Sequence, residues 1–400
     1  MDSYSEIIAF AHEHHNEDPL RLLLQQQHYP TVNLSLVAQQ LEGQRQASVK
    51  WPTLASCDDY FYPPKLNREQ SSSEATACYK AQLFLSLGGG TLADLTGGMG
   101  IDSYFMALQA SHVDYFELNP DLFPIAKHNF QALRQDNISC WQGDSIVLLQ
   151  AGNEHYDMIL IDPARRDIKG RKVSAFEDCT PNLLTHLDLL LSRCRYLLVK
   201  ASPMIDIHQA LRQLPQTTQI HIVALNNECK EILFLLSSHT EEHPLCPTIR
   251  CLNLHNGNPS SFQFQQHEEA EAVPTFTNSI HQYLYEPHAA LMKGGCFNLI
   301  SQHFNLNKLA RNTHLYTSPI LLTDFPGRTF QVLDEIPLNA KKAATLLPDH
   351  KVHIISRNHP LTPDQLYKKL KLSEGGTLFL IATTLSSTPR LWLCRLLAAQ

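Results

Sequence analysis

The stretch Asp94-Leu95-Thr96-Gly97-Gly98-Met99-Gly100-Ile101-Asp102 constrains this chain more than any other. It follows a short apolar run, Thr91-Leu92-Ala93, that fits a buried strand, and it precedes Ser103 to Ala110, apolar at helical spacing. A strand, a glycine-rich turn and a helix in that order form the first half of a βαβ unit. Glycines there let backbone N–H groups approach a ligand, and the helix N-terminus adds the positive end of its dipole. Twenty residues beyond Gly97, a second apolar strand, Val113-Asp114-Tyr115-Phe116, ends in Glu117. An acid at the tip of the second strand is placed to accept hydrogen bonds from a ribose diol, each contributing roughly 1.5–3 kcal/mol. The expectation is a nucleoside pocket.

A nicotinamide dinucleotide site would complete G-x-G-x-x-G or G-x-G-x-x-A, but the third position after Gly98-x-Gly100 is Ser103. Asp94 and Asp102 also flank the turn, and carboxylates near the ligand suit a cation better than a pyrophosphate. On these residues the sequence resembles a class I methyltransferase. The resemblance implies S-adenosyl-L-methionine, whose ammonium an acid such as Asp94 would meet.

Four hundred residues suggest two or three domains. With 43% hydrophobic and 18% charged residues the chain can bury a sizeable core. No apolar run is long enough to span a bilayer and no signal peptide opens the chain, so a cytoplasmic location and no membrane partner are expected. The ten cysteines form no C-x-x-C pair and are expected as reduced, mostly buried thiols. His12, His14 and His15 lie in an acidic N-terminal helix and are expected at the surface, so no metal site is assigned. The net charge of −7 is uneven: from Phe325 onward ten Lys/Arg face five Asp/Glu, while the first 324 residues carry 22 against 34. A basic tail domain on an acidic body fits either a polyanion-binding surface or a merely solvated one.

Along the chain, residues 2–58 are apolar at helical spacing, with a break at Pro30-Thr31-Val32-Asn33. After Tyr62-Pro63-Pro64, Ser71 and Glu74 fit a capping box before a helix Ala75–Leu87. Strands are predicted at 91–95, 112–117, Ile138–Trp141, Asp157–Ile161 and Tyr196–Lys200, then a helix Ile205–Leu214. Strands Gln219–Leu225 and Glu231–Leu236 follow, joined by a short turn that makes them antiparallel neighbours. Five parallel strands closed by that hairpin give a seven-stranded, Rossmann-like α/β sheet. Two further strands, Thr248–Leu254 and Phe262–Gln265, are candidates in the polar stretch that follows. Residues 279–303 are expected helical, Thr313–Ser318 extended, and 328–400 a small α+β domain. That domain has strands at Thr329–Leu333, Val352–Ser356, Leu378–Ala382 and Arg390–Arg395, and helices at 339–347 and 363–370.

Asp162-Pro163-Ala164-Arg165 stands at the C-terminal end of the fourth strand, where sheets of this kind bind ligands. Many amino-methyltransferases carry Asp/Asn-Pro-Pro-aromatic there. The carboxylate and the next carbonyl accept from an exocyclic NH₂ and orient its lone pair, while the ring stacks on a flipped base. Here Ala164 and Arg165 depart from that pattern. Arg165 suits stacking on a base, binding a phosphate, or a structural ion pair with Asp162. Methylation of a pyrimidine carbon needs a cysteine nucleophile, and Lys200-Ala201-Ser202-Pro203 after the fifth strand has none. Cys179 and Cys194 are nearby in sequence but are not expected at that edge.

Further matches are Glu69-Gln70-Ser71-Ser72, Asn227-Glu228-Cys229-Lys230-Glu231, Tyr285-Glu286-Pro287-His288-Ala289-Ala290, Leu315-Tyr316-Thr317-Ser318 and Phe325-Pro326-Gly327-Arg328. Together they resemble a bacterial class I methyltransferase family with ferredoxin-like and THUMP-like C-terminal domains. The expected division is a helical region 1–60, a methyltransferase domain 61–240, a linker with a ferredoxin-like domain 241–325, and a THUMP-like domain 326–400. The resemblance implies RNA as partner and, from related enzymes, guanine N2 as acceptor. The cofactor would lie on Gln70, Asp94, Thr96, Gly97, Gly98, Gly100, Asp102, Glu117, Leu118, Asp144 and Ser145. Asp162, Pro163, Ala164 and Arg165 would form the acceptor slot. Two other readings keep the fold: an RNA-binding protein on an inactive scaffold, and a protein or small-molecule methyltransferase.

Overall fold

The computed structural model describes residues 4–165, 176, 179–239, 246–255 and 259–399. They form two units, Met1–Thr218 with Leu233–His243, and Gln219–Ile232 with Pro244–Gln400.

In the first unit, helices Tyr4–Glu13, Pro19–Leu23 and Leu34–Lys50 begin where the sequence supplies caps. The Asp18 carboxylate accepts from the N–H groups of Leu20 and Arg21, and Asn33, at the predicted break, accepts from Leu36 N–H. Their apolar faces (Ile7, Ile8, Leu22, Val37 and Leu41) share one core with Phe61 and Ile125. The predicted capping box does not form, and the N-cap lies two residues further on. Ser71 ends the helix Lys65–Gln70, Ser73 caps the helix Glu74–Ser86, and Glu74 instead accepts from Thr53 N–H and hydroxyl.

Seven strands of the nine-stranded main sheet are β1 (Gly90–Asp94), β2 (Ala110–Glu117), β3 (Ile138–Gln142), β4 (Tyr156–Ile161), β5 (Cys194–Ala201), β6 (Thr217–Leu225) and β7 (Glu228–Ser237). Their order is β6-β7-β5-β4-β1-β2-β3. Strand β1 pairs in parallel with β2 and β4, β2 with β3, and β4 with β5. Met158 to Ile161 of β4 are at most 1% exposed, as befits a strand covered on both faces. The turn between β6 and β7 places Asn226 and Asn227 at φ 51° and 64°, the conformation of a tight hairpin. These seven strands keep the predicted arrangement of five parallel strands followed by a hairpin, and the sheet differs from the expectation in continuing beyond β6 by two further strands. The helix after the glycine-rich turn is shorter than expected, Ile101–Ala107, because Ala110 already belongs to β2.

In the second unit both candidate strands of the polar stretch form. β8 (Thr248–Leu254) runs parallel to residues 219–225 of β6, and β9 (Ser260–Gln265) pairs antiparallel with β8. An eight-stranded sheet follows in the order Thr275–Phe276, Asn307–Ala310, Thr313–Ser318, Tyr283–Pro287, Gly327–Ile336, Thr388–Ala399, Leu378–Leu385, His353–Arg357. Residues 279–303 are therefore not helical throughout. Tyr283–Pro287 alternates across the sheet as its central strand, and only Ala289–Gly294 and Asn298–His303 are helices. That central strand carries Glu286, buried and held by Arg328 and Arg357. Helices Ala340–Leu346 and Pro363–Leu370 share a core through Ala343, Leu366 and Leu370, and leave Lys341, Lys342, Lys368 and Lys369 exposed. Among the described residues no helix is long and apolar enough to cross a membrane.

Candidate active site

The C-terminal ends of β1, β2, β4 and β5 open on one cavity of about 1240 Å³ in the first unit. Its floor is the glycine-rich turn. Leu95 N–H donates to Leu160 O and Gly97 N–H to Phe116 O, so the turn is tied to β4 and β2 at once. Gly100 caps the following helix at φ +82°, where a Cβ would lie 2.5 Å from the Phe130 ring. A Cβ on Gly97 would lie 2.1 Å from the Tyr115 ring. Gly97→Ala should therefore push the turn off its seat, costing about 1–3 kcal/mol. Urea denaturation with calorimetry of nucleoside binding checks this: both stability and affinity fall.

Four acids meet the cavity from successive strands. Asp94, ending β1, is 2% exposed; it accepts from Ser103 Oγ at 2.6 Å and Thr96 N–H at 3.2 Å. Burial raises its carboxyl to about 7, against those hydrogen bonds and with a further push from Asp102. Glu117, ending β2, accepts from Gly98 N–H at 2.8 Å and Asn119 N–H at 2.7 Å. Burial raises its carboxyl as well, against those same bonds. Asp144 follows β3 and caps the helix Ser145–Ala151 through Ile146 and Val147 N–H. Asp162 follows β4; its N–H donates to Thr96 Oγ1 at 2.7 Å, and its carboxylate accepts from Lys200 Nζ at 2.6 Å.

Gln70, Asp94, Thr96, Gly97, Gly98, Asp102, Glu117, Leu118, Asp144, Ser145, Asp162, Pro163 and Ala164 all line the cavity. Gly100 is not among the lining residues; its part is to turn the backbone into the helix. Arg165 pairs through its backbone with Cys179, and its side chain lies outside the described residues. Cys179 itself lines the cavity, contrary to expectation, because Cys179–Thr180 pairs antiparallel with Ala164–Arg165 beside the end of β4.

Asp102 is more than a flank to the turn. It accepts from Ser72 Oγ at 2.7 Å and faces Lys80 Nζ at 3.2 Å and Lys200 Nζ at 3.7 Å. Burial works to raise its carboxyl, but Lys80 and Lys200 outweigh burial and hold it below the usual range. Neither lysine was singled out from sequence. The signal for Lys80 was its place in the buried stripe Ala77, Lys80, Ala81, Phe84, a cation where the helix faces its core. Among the described residues no cluster of His, Cys, Asp or Glu is arranged to hold a metal ion.

Residues 283–326 match the model of a ferredoxin-like domain and residues 327–396 that of a THUMP-like domain. A Porphyromonas gingivalis W83 structure assigned as a methyltransferase is 32% identical, with 98% of each chain covered and a TM-score of 0.84. A Pyrococcus horikoshii protein assigned as an RNA methyltransferase is 17% identical over 44% of this chain and 90% of that one, TM-score 0.31. A Bacillus cereus O-methyltransferase in complex with SAH is 13% identical over 50% and 99%, TM-score 0.35. These last two likenesses are too slight to carry an argument. No curated protein matches the sequence. The full-length likeness to the Porphyromonas structure and the two C-terminal matches place the chain in the class I S-adenosylmethionine-dependent methyltransferase family with ferredoxin-like and THUMP-like C-terminal domains.

Proposed function

We propose that this protein transfers a methyl group from S-adenosylmethionine to RNA. The observation that carries the reading is that Asp94, Glu117, Asp144 and Asp162, at the ends of β1 to β4, ring one and the same cavity. Asp94 would take the donor's ammonium, Glu117 the ribose hydroxyls, and Leu118 would lie against the adenine beside Asp144. Asp162, with Pro163 and Ala164, stands where the acceptor enters. Intact acids at these strand ends weigh against an inactive scaffold. The THUMP-like match and the exposed lysines of the second unit support RNA over a protein or small molecule. Guanine N2, the acceptor that the sequence resemblance favours, would donate its amine hydrogens to Asp162 and the Pro163 carbonyl.

Labelled S-adenosylmethionine incubated with total RNA, protein and metabolite pools tests the substrate class; label confined to protein or metabolites removes RNA. Calorimetry with the donor, against Glu117→Ala, tests the pocket; no heat with the wild-type chain favours the inactive scaffold.

The raised Asp94 carboxyl gives a pH prediction. Below about pH 7 the acid is protonated and a cationic amine must displace that proton, so affinity should fall about tenfold per pH unit on that side. Methylthioadenosine, which lacks the ammonium, should show no such slope in the same titration. For the ligand-free fold the sign is the reverse of an ordinary salt-bridged acid. The contribution of Asp94 to stability is full below about pH 4 and is lost as pH rises through about 7.

A further inference from the structure

With RNA taken as the substrate, on which the following rests, the atom that receives the methyl group can be argued from the wall of the cavity. Asp102, Lys200 and Asp162 line it, and Lys80 lies behind Asp102, so that four charges alternate from the interior outward. Lys80 is fully buried, Lys200 and Asp102 are each 12% exposed, and Asp162 is 42% exposed. The inner members are fixed by Ser72, whose Oγ donates to Asp102 and lies 3.3 Å from Lys80 Nζ. The outer pair, Lys200 and Asp162, lines the cavity with Nζ and Oδ2 2.6 Å apart. Thr96 Oγ1, accepting from Asp162 N–H, seats that pair on the glycine-rich turn.

An exocyclic amine brings two hydrogens to such a slot and attacks through one lone pair. Its best surroundings are acceptors alone, because an ammonium within bonding reach competes for that lone pair. A hydroxyl oxygen has two lone pairs and one proton. It accepts from an ammonium on one pair, attacks with the other, and gives its proton to a carboxylate. Lys200 beside Asp162 supplies that donor and that acceptor together. The sequence could not show this, because the two residues are 38 apart and meet only when β4 and β5 pair.

We propose that the acceptor is a hydroxyl oxygen, in RNA the ribose 2′-hydroxyl, and that Lys200 and Asp162 are the catalytic pair that orients it and takes its proton. In the step, the O–C bond forms as the C–S bond of the methyl donor breaks, and that electron pair moves to sulfur. The O–H bond breaks with its electrons staying on oxygen, and the proton passes to Asp162 Oδ1. The sulfonium and the carboxylate are both neutral afterwards, and Lys200 stays an ammonium throughout. Guanine N2 gives way to the sugar of whichever nucleotide enters.

The full-length protein, methyl-labelled S-adenosylmethionine and total bacterial RNA are incubated, and the RNA is digested to nucleosides for mass spectrometry. Label is expected on the ribose fragment, in linkages that resist alkali. Lys200→Met should lose about 10²–10³-fold of that product, the scale of removing one pre-organised donor, while still binding S-adenosylhomocysteine in calorimetry. Should Lys200→Met fail to fold, Lys200→Arg serves: it keeps the charge and the donor and should place its remaining label on ribose. Label on a base overturns the proposal, whether on an amine or on a pyrimidine carbon reached through Cys179. Undiminished ribose methylation by Lys200→Met overturns it too. Label in no RNA at all removes the substrate reading, and the acceptor assignment falls with it.

Discussion

Asp162→Ala is expected to lower methyl transfer to RNA about 10³-fold while leaving S-adenosylmethionine bound, the range of losing one group that acts on the reacting atoms. The residue stands directly after β4 with its N–H on Thr96 Oγ1, so its carboxylate is aimed by backbone geometry rather than by a flexible tether. Alanine removes the acceptor of the substrate's hydrogen and the partner of Lys200 together. Initial rates with labelled donor on total RNA, and donor affinity by calorimetry, separate chemistry from binding. A rate equal to wild type would take Asp162 out of the reaction. Asp162→Asn divides the acceptor atoms more finely. Its amide oxygen still accepts from an exocyclic amine, so an amine methylase would keep much of its rate. It cannot receive a proton, so a hydroxyl methylase would fall nearly as far as with alanine.

Much of the first unit was legible because its signals are local. Apolar runs ending in an acid marked the tips of β1, β2 and β4, and a short turn between apolar runs marked the β6–β7 hairpin, whose second strand begins three residues earlier than expected, at Glu228. Pocket residues followed from those tips, since a parallel sheet brings the C-terminal ends of its strands to one edge. What stayed hidden depends on partners far apart in the chain. Lys80 comes from a helix before β1 and Lys200 from β5; Asp102, between them in sequence, is what brings the two cations together. The same holds for Glu286, whose strand Tyr283–Pro287 was expected as helix. Its pairing with Gly327–Ile336, 42 residues on at Arg328, decides its conformation, and no local periodicity reports that. Ser73 took the cap in place of Ser71 because Glu74 turned outward to Thr53, a contact across 21 residues.

The largest effect on folding is expected from Asp102→Ala. Lys80 is fully buried and its ammonium faces the Asp102 carboxylate at 3.2 Å, with Ser72 alongside. Removing one partner of a buried pair costs about 3–5 kcal/mol, because a desolvated charge loses its counter-charge. For a unit of this size that is a drop in melting temperature on the order of 10 °C. Urea unfolding followed by tryptophan fluorescence measures it: Trp51 donates through Nε1 to Ser72 O and reports on this corner. The acid side supplies a second check with a definite sign. The folded Asp102 carboxyl is held below its ordinary value, so its contribution is present above about pH 4 and lost as pH falls through the lower folded value. Asp102→Ala should lack that acid-side loss. Replacing both partners, Lys80→Met with Asp102→Leu, leaves no buried charge to strand and should recover part of the stability. It would not restore catalysis, since Lys200 would then lack the inner carboxylate that helps hold it beside Asp162. A double variant no more stable than Asp102→Ala would mean that the pair is not what holds the helix Glu74–Ser86 to the turn.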